Sequence, residues 1–117
     1  MKNIFKIFYR PLSLKRKILD IIDDIEMVIK GISTEKFKIE WYGAYEINPK
    51  NLAIWICVEK DSTKSQLMSN QELINDIKEI FVKHNYPKEL SPLDIVEFES
   101  QETVDRESGG DWHLHFQ

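Results

Sequence analysis

Asn51-Leu52-Ala53-Ile54-Trp55-Ile56-Cys57-Val58-Glu59 is the stretch on which the fold turns. It runs apolar without a break from Leu52 to Val58, and Ile54, Ile56 and Val58 are β-branched. That length and composition suit a strand, and an unbroken apolar strand is expected to be covered on both faces. Upstream, Phe37, Ile39 and Trp41 alternate with Lys36, Lys38, Glu40 and Tyr42, the period-two pattern of a second strand. Asn48-Pro49-Lys50-Asn51 between them is a natural turn, because proline presets the backbone angle of its second position.

Helical spacing flanks this pair. Leu14, Ile18, Ile21, Ile25, Val28 and Ile32 recur every three or four residues, so they share one helical face. Ser13 is a good N-cap and Gly31 suits the position past the end, which predicts a helix over 14–30. Asp20, Asp23, Asp24 and Glu26 occupy its other face. Three aspartates so close could hold a cation, but no matching ligand set accompanies them, and a solvated face is expected. Residues 60–68 are polar and read as a loop. Ser69-Asn70-Gln71-Glu72 has capping-box spacing and opens a second helix over about 70–85, carrying Leu73, Ile74, Ile77, Ile80 and Phe81. His84 falls in its last turn, where the helix dipole favours a histidine. Asn85-Tyr86-Pro87 stops it.

The last third reads as a hairpin. Residues 95–101 alternate with Val96 and Phe98 on one face; Asp105 to Gly110 supplies turn residues; Trp112, Leu114 and Phe116 then alternate with His113 and His115. The halves also resemble each other. Ile18-Leu19-Asp20-Ile21 matches Ile74-Asn75-Asp76-Ile77, and Ile39-Glu40-Trp41 matches Val96-Glu97-Phe98, with Trp55 falling on Trp112. The expected fold is therefore α+β: a single domain over 1–117, built from two αββ units. They would form a four-stranded antiparallel sheet with two helices on one face, plus an N-terminal strand or short helix. Ile39, Trp41, Trp55, Val96, Phe98, Trp112 and Leu114 would face the helices. Ile54, Ile56 and Val58 would lie opposite, beside Tyr42, as an apolar row that a second copy of the chain could cover.

Composition sets limits on function. The chain has 117 residues, 42% hydrophobic and 31% charged, as in an ordinary globular domain. Its net charge of −4 is uneven. Lys2, Lys6, Arg10, Lys15, Arg16 and Lys17 give the first 17 residues +6 with no acid, and the rest, with ten basic and twenty acidic groups, carries −10. An acidic body disfavours nucleic acid. The basic start, interleaved with Phe5, Phe8 and Tyr9, is expected to dock its aromatics on the core, with an arm for nucleic acid or a membrane surface as the alternative. No apolar run approaches membrane-spanning length, and Lys6 and Arg10-Pro11 break up any secretory leader. Cys57 is the only cysteine and reads as a small buried hydrophobe. A reducing cytoplasm is the expected setting. Lysine far outnumbers arginine, and isoleucine and asparagine are frequent, as in AT-rich bacterial genomes.

Phosphate-cradling, dinucleotide-binding, CxxC, HExxH and GxSxG motifs are all missing. Two constellations remain. On a strand, His113 and His115 would share one face opposite Glu97, Glu99 and Gln101, a set that could hold a divalent metal for a hydrolytic site. The polar stretch Glu102 to Trp112 contains Arg106, the only arginine beyond residue 16, whose planar fork could clamp Glu102 or a partner's carboxylate. The leading expectation is a non-enzymatic interaction module, immunity- or adaptor-like in general profile and without a cofactor. Glu97, Glu99, Gln101, Glu102, Asp105, Arg106, His113 and His115 would engage a protein partner with a basic surface. The alternative is a metal-binding protein or metal-assisted hydrolase using His113 and His115.

Overall fold

The computed structural model describes residues 13–87 and 94–116. The expected N-terminal strand or short helix lies outside these residues, as does the basic arm before Ser13. The first described element is α1, Leu14–Ile32. Ser13 caps it, accepting the Arg16 N–H at 3.1 Å. The helix runs through Gly31 to a cap at Ser33. Strands β1, Lys38–Tyr42, and β2, Ala53–Val58, come next. Then come α2, Asp61–Met68; α3, Gln71–Lys83; β3, Val96–Ser100; α4, Gln101–Ser108; and the single turn α5, Trp112–His115.

Among the described residues, the sheet has three strands in the order β1-β2-β3. β1 and β2 are antiparallel, and β2 and β3 are parallel. A parallel pair needs a crossover, and α2 and α3 supply it. This corrects the four-stranded antiparallel expectation, although the α+β class holds. Residues 60–68 are not a loop. Leu67 is the only buried residue of α2, so the helix carries no apolar stripe that periodicity could reveal. Its start is capped from elsewhere: Glu35 Oε1 accepts the N–H groups of Glu59 and Lys60 at 3.1 and 3.0 Å, and Glu102 Oε1 accepts that of Asp61 at 2.7 Å. Asn70, not Ser69, caps α3, accepting the Leu73 N–H at 3.0 Å. The Ser69 hydroxyl turns back to the Ser65 carbonyl at the end of α2.

The expected hairpin is also replaced. Ser100 ends β3 and at once caps α4, its Oγ accepting the Thr103 N–H at 3.1 Å. Gly109, at φ 60°, closes α4 in the left-handed conformation. Asp111 then caps α5 through the Leu114 N–H at 3.1 Å. The halves therefore share a helix and a strand but diverge after them: β1 leads to a second strand, β3 to α4. Two αββ units do not form.

Register assigns the two faces of the sheet. Ile54 pairs with Trp41 and Val96, and Ile56 with Ile39 and Phe98. These residues face the helices, where Ile18, Ile21, Ile25 and Ile29 of α1 and Leu73 and Ile77 of α3 are buried. Each such isoleucine contributes about 1.5–3 kcal/mol on leaving water. Asp24 ties α1 to α3, accepting from His84 at 2.7 Å and Lys83 at 3.3 Å. Burial pushes the Asp24 carboxyl up, but these partners outweigh it and hold it below the usual range. Ile54 and Ile56 are wholly buried and Val58 nearly so, which rules them out as an exposed dimer row. Trp55 points the other way, beside Tyr42, Glu40 and Glu97. The phase of β2 is one residue off the expected one, which inverts the whole strand.

Candidate functional site

The face of the sheet away from α1 and α3 carries the polar and aromatic groups. One row across the strands holds Lys38, Cys57 and Glu99; the next holds Glu40, Trp55 and Glu97. Glycines 109 and 110 turn the chain back after α4, so that α5 lies over this face. Phe116, just past α5, stacks on Trp55 with ring centres 4.6 Å apart and also meets Trp112 at 5.6 Å and Tyr42 at 6.3 Å. The Trp112 indole N–H donates to Gln101 Oε1 at 2.6 Å, which fixes its ring. β2 is thus covered on both faces, as its unbroken apolar run requires.

Two hollows flank this cover. The larger, about 410 Å³, is lined by Lys38, Glu40, Tyr42, Trp112, His113 and Phe116. The smaller, about 230 Å³, lies toward Phe37, Cys57, Glu59 and Gln101. Lys38 and Trp112 line both. The Lys38 ammonium sits over the Trp112 ring at 4.8 Å from its centre and lies 3.6 Å from Glu40 Oε1.

A hydrogen-bonded chain holds α5 in place. Lys64 donates to Glu99 Oε1 at 2.7 Å; Glu99 Oε2 lies 2.8 Å from His115 Nε2; His115 Nδ1 lies 3.0 Å from Ser108 Oγ. Burial pushes the Glu99 carboxyl up, and Lys64, His115 and the Ser100 N–H more than reverse this, leaving it below the usual range. A hydroxyl, an imidazole and a carboxylate in sequence can activate a serine nucleophile. The backbone amides that follow Ser108 are already engaged. The N–H groups of Gly109 and Gly110 both point to the Val104 carbonyl, and that of Asp111 to the Ser108 carbonyl. None of these three amides is left to stabilise an oxyanion beside Ser108, a contribution usually worth about 3–4 kcal/mol. The hydrogen-bonded run from Lys64 to Ser108 clamps α2, β3, α5 and α4 together.

A second network joins α2 to α4. The Asp61 carboxylate accepts from Ser100 Oγ at 2.5 Å, Thr103 Oγ1 at 2.7 Å and Arg106 Nη1 at 2.5 Å. The Ser100 and Thr103 hydroxyls, then the guanidinium, hold its pKa far below the carboxylate range. The Thr63 hydroxyl does the same to Glu35 more mildly, with help from the Lys60 and Glu59 N–H groups against burial.

No protein-family model, curated protein or solved structure matches this chain.

The residues marked out by sequence fare unevenly. Glu97 and His113 are exposed. Glu99 is buried and shared between Lys64 and His115. Gln101 is engaged by Trp112 and also donates to Asp105 at 2.8 Å. Glu102 caps α2, and Arg106 pairs with Asp61, not with Glu102. His113 and His115 sit on a helical turn, where residues two apart point to different sides, so they do not form the expected pair on one strand face. Both ring nitrogens of His115 already have protein partners. Among the described residues, no cluster of three or more histidine, cysteine, aspartate or glutamate side chains is arranged to hold a metal. Burial pushes the Cys57 thiol up to about 12, so it is a poor nucleophile at neutral pH. Likewise among the described residues, no helix is long and apolar enough to cross a membrane.

Sequence reasoning missed Lys38, Glu40, Trp112 and Phe116 as a group, and Lys64, Asp61 and Ser108 as partners. One local signal was present. Trp112 and Phe116 are four apart and come directly after an Asp111 cap, so they stack along one side of a helical turn. The same five residues also alternate in the strand manner.

Proposed function

We propose that this protein is a non-enzymatic protein-interaction module. Its binding site would be the aromatic hollow beside α5, and its partner a protein presenting a basic segment. The observation that carries this reading is the lining of the larger hollow: the Tyr42, Trp112 and Phe116 rings stand in an open groove with Glu40, instead of in the core. Rings in a groove offer apolar area at low entropic cost, and they accept cations on their faces. Glu40 and Glu97 flank Trp55 on the same face and add negative charge. Lys38 already rests on Trp112, so that ring face suits a cation. The binding surface shifts from the expected acidic hairpin to this groove, because Glu99, Glu102 and Arg106 are committed within the fold. The lysine-rich composition and single buried thiol support the bacterial cytoplasm as the setting.

The test uses the full chain, isotope-labelled, titrated with a capped peptide of alternating arginine and glycine and with its glutamate counterpart. The expected result is a set of amide shifts confined to Tyr42, Trp112, His113, Phe116 and their neighbours. They should appear with the basic peptide only, weaken with salt, and vanish in the double variant Glu40→Lys, Glu97→Lys. Equal binding by that variant, or shifts centred elsewhere, would refute the assignment.

A further inference from the structure

We infer that the groove is a receptor for an arginine side chain and that Lys38 is its built-in competitor. This rests on the reading of the groove as a partner site. Lys38 Nζ occupies the Trp112 ring face at 4.8 Å and lies 3.6 Å from Glu40 Oε1, so one internal cation uses both groups that an incoming cation would need. The fit to Lys38 is partial. An ammonium is a point charge and meets the ring and the carboxylate separately, whereas a planar guanidinium stacks on a ring while pairing its edge with a carboxylate. Phe116 and Tyr42 line the rest of the hollow, whose volume of about 410 Å³ exceeds what one lysine head fills. Lys38 and Trp112 line the smaller hollow as well, so the contact between them borders both. Moving Lys38 off Trp112 therefore frees that ring face, which both hollows border. Partner entry and Lys38 release are then one exchange: an arginine replaces a lysine on the same ring and the same carboxylate. The competitor sets a threshold against isolated cations and favours a segment that brings arginine together with further contacts.

The probes are acetylated, amide-capped arginine, lysine and norleucine, titrated against the full chain. The Trp112 indole N–H signal is the reporter, since that group is fixed by Gln101. Capped arginine is expected to move this signal, lysine less and norleucine not at all. Lys38→Met keeps the apolar stem but removes the charge from an exposed position, and should tighten arginine binding roughly two- to fivefold, the range of a surface cation–ring contact. Glu40→Gln should weaken it. Unchanged or weaker arginine binding in Lys38→Met, or equal shifts from norleucine, would overturn the competitor. If the arginine–glycine peptide still docks in the groove, the interaction reading survives that failure. If the peptide moves no groove signal, both fall.

Discussion

Replacing Glu99 with glutamine should destabilise this protein by about 2–3 kcal/mol at pH 7, and much less in acid. Glu99 is 7% exposed and serves three donors: Lys64 at 2.7 Å, His115 at 2.8 Å and the Ser100 N–H at 2.9 Å. Glutamine keeps the shape and one acceptor oxygen, but places an N–H₂ against either the lysine or the histidine. One charge-assisted bond is lost, and the N–H₂ must face either the Lys64 ammonium or a His115 ring that has to switch tautomer to accept it. Hydrogen bonds to charged groups contribute roughly 1.5–3 kcal/mol each, and full removal of one partner of a buried ion pair costs about 3–5 kcal/mol. The lower figure applies because the Lys64 side chain is 24% exposed and can recover water. The loss corresponds to a fall in Tm of roughly 8–12 °C for a chain of this length.

The pH dependence separates this account from a loss of packing. The folded Glu99 carboxyl lies below its unfolded value of 4.5. Between those two values the unfolded chain binds more protons, so stability rises with pH through that window. The contribution is fully present above the unfolded value and is lost as pH falls through the folded one. Urea unfolding of both proteins at pH 7 and pH 3, monitored by tryptophan fluorescence, measures the difference. It should narrow at pH 3, below the unfolded value, where protonation of the unfolded chain removes part of the stability that the ionised carboxylate contributes. A difference under about 0.5 kcal/mol at pH 7, or an equal difference at both pH values, would refute the clamp.

Other perturbations test other parts of the fold. Cys57, with its thiol raised to about 12, should resist alkylation by iodoacetamide at pH 8 in the native protein and react only after denaturation, as mass spectrometry would show. Gly43 has φ 116° and lies so close to the Asn51 carbonyl that a Cβ would overlap it; Gly43→Ala should cost more than about 2 kcal/mol in urea unfolding. Ile21 of α1 is fully buried in the core, and Ile21→Ala should cost about 2–5 kcal/mol in the same assay. Ser108 should remain unlabelled by a fluorophosphonate probe, because the neighbouring amides are spent on the end of α4.

The elements legible from sequence are those whose apolar residues alone decide their form. α1 is one: Ile18, Ile21, Ile25 and Ile29 meet the core at helical spacing, and Ser13 caps the start locally. β1 and β2 are another case, where alternation and a continuous apolar run match one covered and two covered faces. α2 was not legible, because its start is completed by Glu35 and Glu102, far away in sequence. Polar residues that satisfy a distant helix end look, in one dimension, like a solvated loop.

The C-terminal third shows a different failure. Trp112-His113-Leu114-His115-Phe116 satisfies both periods, since a window of five residues contains an alternation and an i, i+4 pair at once. What decides between them is the preceding backbone. Ser100 caps α4, Gly109 ends it and Asp111 caps the next turn, so the chain that reaches Trp112 is already closing helical turns. A strand there would leave His115 in front of Glu99 without Ser108 behind it; the turn brings all three together and sets Phe116 on Trp55. Local capping and tertiary burial agree on the turn, while alternation alone favours the strand, and agreement between levels prevails. The same choice creates the candidate site. With α5 folded over β2, Trp112 and Phe116 become the walls of a groove; in a hairpin they would have been inner residues of a sheet, and the Lys38 ammonium would not have rested on the Trp112 ring.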